Sequence, residues 1–133
     1  MGYTHYWDRS ENFTDKEWEW FLNEARALYL YDNGDELESD IFLADCINFN
    51  GKDDDAFETF HMTKASNGWE FCKTERKPYD LYVTAILCIM EHLTPDKITV
   101  TSDGTPQDWA CGLALAREFV PACKLPTGVA DDV

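Results

Sequence analysis

Lys73, Arg76 and Lys77 place three cations within five residues of a chain that carries 26 acidic and 11 basic side chains. They fall in FCKTERKPYD, Phe71 to Asp80, directly before an apolar run of helical character that Pro78 opens. A helix start offers unpaired backbone N–H groups and the positive end of the helix dipole, so it is a natural anion site. Thr74 adds a hydroxyl, an arginine can clasp a phosphate through two parallel hydrogen bonds, and a lysine supplies a mobile point charge. The chemistry indicated is phosphate binding. The competing reading is structural, with the same cations paired to surface carboxylates, where exposed pairs contribute little. Basic charge at a helix N-terminus is itself mildly unfavourable, and a local cost that a sequence keeps weighs toward function.

A second junction has the same form, Ser102-Asp103-Gly104-Thr105-Pro106. Asp103 suits a turn or cap there, and also a ribose hydroxyl, a metal or a catalytic water. A third polar candidate is His5 in GYTHYW. Alternation puts Tyr3, His5 and Trp7 on one face of a strand and Thr4 and Tyr6 on the other. His5 is open to two readings, a satisfied imidazole in the core or a group that contacts a base or phosphate sandwiched by aromatics. His61 and His92 stand alone, no metal-ligand spacing occurs, and no metal or cofactor is expected. Cys72 precedes the cations, which would favour its thiolate, but no dedicated base accompanies it, and no catalytic residue is assigned.

The elements that must position these groups follow from periodicity. Tyr3 to Trp7 reads as a strand. Thr14 and Glu17 have capping-box spacing, and Trp18, Phe21, Leu22, Ala25, Leu28 and Tyr29 form one helical face that Asn33-Gly34 ends. Ile41, Leu43, Ile47 and Phe49 alternate along a second strand. AFETFHMTK and WEFCKT give two more, the three forming an antiparallel meander. Pro78 opens a helix apolar all round and therefore central. Ile98 to Thr101 is a strand, and Thr105 caps a last helix with Pro106 at its first position. The order is β-α-β-β-β-α-β-α. That is a single α/β (α+β) sandwich over residues 1–133, with a mixed sheet of about five strands, three helices and an irregular tail over residues 121–133.

Composition bounds the class. Hydrophobic residues are 44% and aromatics 14%, too many for a disordered chain. No run of about 18 apolar residues is present, and the N-terminus lacks the pattern of a signal peptide, so a cytoplasmic protein without membrane association is expected. Five scattered cysteines suggest neither a disulfide framework nor a zinc site. The net charge of −15 argues against direct binding to nucleic acid. Much of it sits between Asp32 and Glu58, with ten acids against one lysine.

Taken together, MGYTHYW, FCKTERKPYD and TSDG followed by DW resemble a family of small phage and prophage proteins. Its members open with GYTHYW and carry an FCKT-x-RKPYD segment and a later SSDG, with Thr101 here replacing the first serine of that last motif. The resemblance spans most of the chain and implies a small, phage-encoded, intracellular protein without implying a mechanism. The function expected is sequestration of a small anionic, nucleotide-like ligand, in a phage setting a host antiviral defence signal. Lys73, Thr74, Arg76 and Lys77 would hold phosphate, Tyr6, Trp7 or Tyr79 would stack on a base, and His5 and Asp103 would supply polar specificity. A homo-oligomer would build composite pockets. Two alternatives stand beside this: an acidic interaction protein that mimics nucleic acid and blocks a host DNA- or RNA-binding protein, and a small enzyme acting on a nucleotide.

Overall fold

Thr14 and Glu17 form the capping box that their spacing predicts: the Glu17 carboxylate accepts the Thr14 N–H at 2.8 Å, and the Thr14 hydroxyl accepts the Glu17 N–H at 3.1 Å. The structure, a computed structural model, describes residues 3–31, 37–39 and 46–130. In chain order it holds β1 (Thr4–Arg9), α1 (Asp15–Tyr31), β2 (Leu37–Ser39), β3 (Cys46–Gly51), β4 (Phe60–Thr63) and β5 (Trp69–Lys73). Then follow α2 (Asp80–Leu93), β6 (Ile98–Ser102), α3 (Ala110–Phe119) and α4 (Thr127–Ala130). The expected stop at Asn33-Gly34, the expected strand residues Ile41 and Leu43, and much of the acid run lie outside the described residues. No described helix is long and apolar enough to cross a membrane.

The chain is a single α+β domain, with its strands in two antiparallel three-stranded sheets, β5-β1-β6 and β2-β3-β4. One mixed sheet and a three-strand meander are the expectations that this replaces. β3 and β4 pair, but β5 leaves them for β1. Arg9 shows why. Its guanidinium, 3% exposed, donates to the carbonyls of Thr63 (2.8 Å) and Lys64 (2.7 Å) and lies 3.8 Å over the Phe13 ring. The backbone N–H of Arg9 donates to Gly68 O at 3.0 Å. Residue 9 thus clamps the end of β4 and receives the start of β5, turning the chain from one sheet into the other.

Alternation along β1 is as expected on its inner face: Tyr3, His5 and Trp7 are buried, with Trp7 against Phe60 at 5.3 Å. That contact joins the two sheets, because Phe60 in turn packs on Phe49 at 5.2 Å. Trp18, Phe21, Leu22, Ala25 and Leu28 bury the face of α1 that the sequence marks. Every residue of α2 from Tyr82 to Glu91 is buried, as its apolar circumference requires. The tail is not wholly irregular, since α4 forms within it. The Glu91 carboxylate on α2 explains this, accepting Val100 N–H and Thr127 N–H at 2.7 Å each and so tying β6 to the start of α4.

Candidate functional site

The three motifs meet in space. β1 runs between β5 and β6, so Tyr3 to Trp7 lies between the segment that leads into α2 and the segment that leads into α3. His5, fully buried, is the hub. Its Nδ1 is 2.7 Å from Ser102 Oγ and its Nε2 is 2.6 Å from Asp80 Oδ1. The Thr74 hydroxyl donates to the same Asp80 oxygen at 2.6 Å. Ser102 Oγ also accepts the Gly104 N–H at 2.8 Å and the Trp109 Nε1–H at 3.1 Å. The His5 ring meets Tyr3 and Trp109 edge-on, at 5.1 and 4.9 Å.

An Asp–His–Ser series invites comparison with hydrolytic triads, and counting donors decides against it. Ser102 Oγ has two lone pairs, and two N–H groups that can only donate occupy both. Its hydrogen therefore goes to His5 Nδ1. His5 Nε2 then carries the proton and gives it to the Asp80 carboxylate, which fixes the tautomer. A serine oxygen with both lone pairs engaged has none left for attack. The network is a buried polar brace that joins β1, the 74–80 segment and the 102–109 segment.

Above this brace is a cavity of about 260 Å³ whose lining includes Tyr3, Arg76, Lys77, Asp80, Asp108 and Cys111. Its rim is built by an unusual turn. Glu75 and Arg76 both have left-handed backbone, at φ 53° and 60°, and Lys77 N–H closes the turn on Thr74 O at 3.0 Å. Two positive φ values in succession give a type I′ turn, which normally takes glycine or asparagine. The strain is held by β1, because Tyr3 O accepts N–H groups from Thr74 (3.1 Å) and Glu75 (3.3 Å), and Glu75 Oε1 accepts the Tyr3 N–H at 2.9 Å. The turn sets the Arg76 guanidinium 4.0 Å over the Tyr3 ring, from where Nη1 donates to Asp108 Oδ1 at 2.8 Å. That hydrogen bond holds the Asp108 carboxyl below its ordinary range, and the Arg76 side chain still keeps 59% of its surface open to solvent. Asp108 is itself placed by a reciprocal cap with Thr105, accepting the Thr105 N–H at 2.9 Å.

The Tyr3 hydroxyl is buried and makes no hydrogen bond of good geometry among the described residues, with the Ser102 hydroxyl close enough to act on its pKa. It stands beside Gly104, where an added Cβ would meet it at 2.3 Å, and its neighbour Ser102 is already fully engaged. Burial is the main reason that its pKa is raised.

The nine expected ligand residues do not form one pocket. Arg76 and Lys77 line the cavity, with His5 and Thr74 in the brace beneath it. Tyr6, Lys73 and Asp103 belong to the opposite, outer face of the β5-β1-β6 sheet. Asp103 extends the β1–β6 ladder there: its Oδ2 accepts the Thr4 N–H at 3.1 Å, and the Tyr6 hydroxyl donates to its Oδ1 at 3.3 Å. Trp7 and Tyr79 are 2% and 1% exposed, and core side chains cover the rings that stacking on a base would need. The Tyr79 hydroxyl donates to Glu58 O. Cys72, whose thiol burial pushes up to about 12, is no thiolate nucleophile. Among the described residues no cluster of three His, Cys, Asp or Glu side chains could hold a metal. Asp80, Ser102 and Asp108 are the site residues that the motifs contain and sequence reasoning did not assign. Their signal was position, each at a strand end or helix start facing His5 or Arg76. No protein-family model, no curated protein and no solved structure matches the chain.

Proposed function

We propose that this chain is a binding protein for a small anionic, nucleotide-like ligand, held in the cavity between the Thr74–Lys77 turn and the starts of α2 and α3. The observation that carries the reading is the strained turn. Left-handed backbone at a non-glycine pair tends to persist where function requires the geometry, and here it puts a mostly exposed guanidinium at a cavity mouth. Lys77 lines the same cavity, and no carboxylate among the described residues pairs with its side chain. Arg76 and Lys77 balance Asp80 and Asp108, so the lining is neutral in a chain of net charge −15. Pro78 and Leu81 give the cavity an apolar wall.

A volume of about 260 Å³ lies just below the usual small-molecule range of about 300–1,000 Å³. It suits a phosphorylated sugar or one nucleotide, and a dinucleotide would need a second copy of the chain. The resemblance to phage and prophage proteins supplies the use, removal of a host nucleotide signal that triggers antiviral defence. The test is to incubate the purified protein with pooled linear and cyclic nucleotides, remove free ligand, denature, and identify what is released by mass spectrometry. A nucleotide retained intact by the wild type and lost in a folded Arg76→Ala variant supports sequestration. A converted nucleotide would replace it with an enzymatic role, and an empty wild-type protein would refute it.

A further inference from the structure

The outer face of the β5-β1-β6 sheet carries an aromatic patch that the cavity does not use. Trp69 and Phe71 are 58% and 50% exposed on β5. Their rings lie 5.3 Å apart, and Trp69 stacks on Tyr6 of β1 at 5.8 Å with an interplanar angle of 24°. Contiguous exposed aromatics on a small domain mark a contact surface more often than chance placement does.

The two edges of this sheet are treated differently. On β6 the outward N–H of Val100 is taken by Glu91, and Gly128 of α4 packs against Val100 O. On β5 the even-numbered residues face β1, as Thr74 N–H to Tyr3 O and Arg9 N–H to Gly68 O show. Trp69, Phe71 and Lys73 therefore direct their backbone groups outward. Glu58 satisfies Lys73, its side chain accepting the N–H at 2.7 Å and its own N–H donating to Lys73 O at 3.1 Å. The N–H and C=O groups of Trp69 and Phe71 have no partner among the described residues. An open edge next to exposed aromatics can accept an added strand.

Charge identifies the occupant. Asp8 lies directly opposite Trp69 in the register, Asp103 holds the Tyr6 hydroxyl, and Glu58 closes the far end; Lys73 is the cation of this face, while Glu70, opposite buried Trp7, belongs to the other face of the strand. A second copy fits poorly, because pairing both aromatic residues of one β5 antiparallel with both of another sets Glu70 against Glu70, and like charges directly opposite are destabilising.

We propose that the β5 edge and its aromatic face dock an extended, arginine- or lysine-containing segment of a partner protein. The segment adds a strand beside Trp69–Phe71, lays a guanidinium or ammonium on the exposed rings, and pairs with Asp8. The test uses a fluorescein-labelled peptide of alternating arginine and threonine, followed by anisotropy at physiological ionic strength. A second peptide with a central proline, which removes a ladder donor, serves as control. Trp69→Ser and Asp8→Asn, both at exposed positions, should each weaken binding, the first by about tenfold. The proline peptide should bind more weakly than its parent, and neutralising Asp53, Asp54 and Asp55 together should change little. Diffuse charge attraction would give the reverse ranking and overturn the proposal. So would an absence of peptide binding, or sedimentation showing a wild-type dimer that Trp69→Ser dissolves, which would assign the patch to a second copy.

Discussion

Ser102→Ala separates a structural brace from a catalytic serine. The substitution removes one oxygen and strands three groups: the N–H of Gly104, the indole N–H of Trp109, and Nδ1 of His5. Gly104, Trp109 and His5 are all buried, so water cannot replace the lost partner at the cost seen on a surface. Each orphaned buried group costs about 1–3 kcal/mol. His5 can recover part of this by shifting its ring, which leaves a net loss of about 3 kcal/mol. Against a typical domain stability of about 5–15 kcal/mol that is a large fraction. With a urea dependence of about 2 kcal/mol per molar, the unfolding midpoint followed by tryptophan fluorescence should fall by about 1.5 M. Ser10→Ala is the control, because its hydroxyl donates to Asp96 O on the surface. A catalytic nucleophile behaves oppositely, since its removal is commonly neutral or stabilising. A Ser102→Ala midpoint no lower than that of Ser10→Ala would refute the brace.

Gly112→Ala should cost about 1–3 kcal/mol in the same assay, because its Cβ would sit 1.9 Å from Thr84 Oγ1 where α3 crosses α2. On the alkaline side, stability should hold from neutral pH up to about pH 9 and fall beyond it. Burial raises Cys72 to about 12 and Cys123 to about 11 from the usual thiol value of 9.0. The unfolded chain therefore loses these protons first, and the contribution present below pH 9 drains away as pH rises through the folded values, at about 1.4 kcal/mol per unit per group. A midpoint constant from pH 8 to 11 would contradict this. Arg76→Gly should leave the unfolding midpoint at or above that of wild type, since glycine adopts the left-handed turn without strain and the ion pair lost is exposed; a clear drop would show that the Arg76 side chain supports the fold.

Local signals were legible and distant pairings were not. The capping box of α1, its buried face, the apolar circumference of α2 and the inward Tyr3, His5 and Trp7 all follow from spacing within a few residues. The division into two sheets does not, because β5 has β4 as its neighbour in sequence and takes β1 as its partner through Arg9, whose charge reads as surface in a sequence. The partners of His5 are 75 and 97 positions away, and nothing local marks Asp80 or Ser102 as facing it. The sequence does not show that the three motifs meet, and where they do, their polar groups divide between a brace, a cavity and the opposite sheet face. A strand's alternation predicts that split for Tyr6. The turn at Glu75 and Arg76 carries none of the residues that advertise a type I′ geometry, so the feature that points Arg76 at the cavity was invisible.

Cys111 lines the cavity and is exposed, whereas Cys72, Cys88 and Cys123 are buried, so it can report directly on occupancy of the site. The measurement is the rate of its alkylation by iodoacetamide, read by peptide mass spectrometry, with and without a pool of linear and cyclic nucleotides. A bound anionic ligand should slow Cys111 several-fold in the wild type and leave it unchanged in Arg76→Ala, with half-buried Cys46 as the internal reference. Equal rates with and without the pool would contradict a nucleotide site in this cavity.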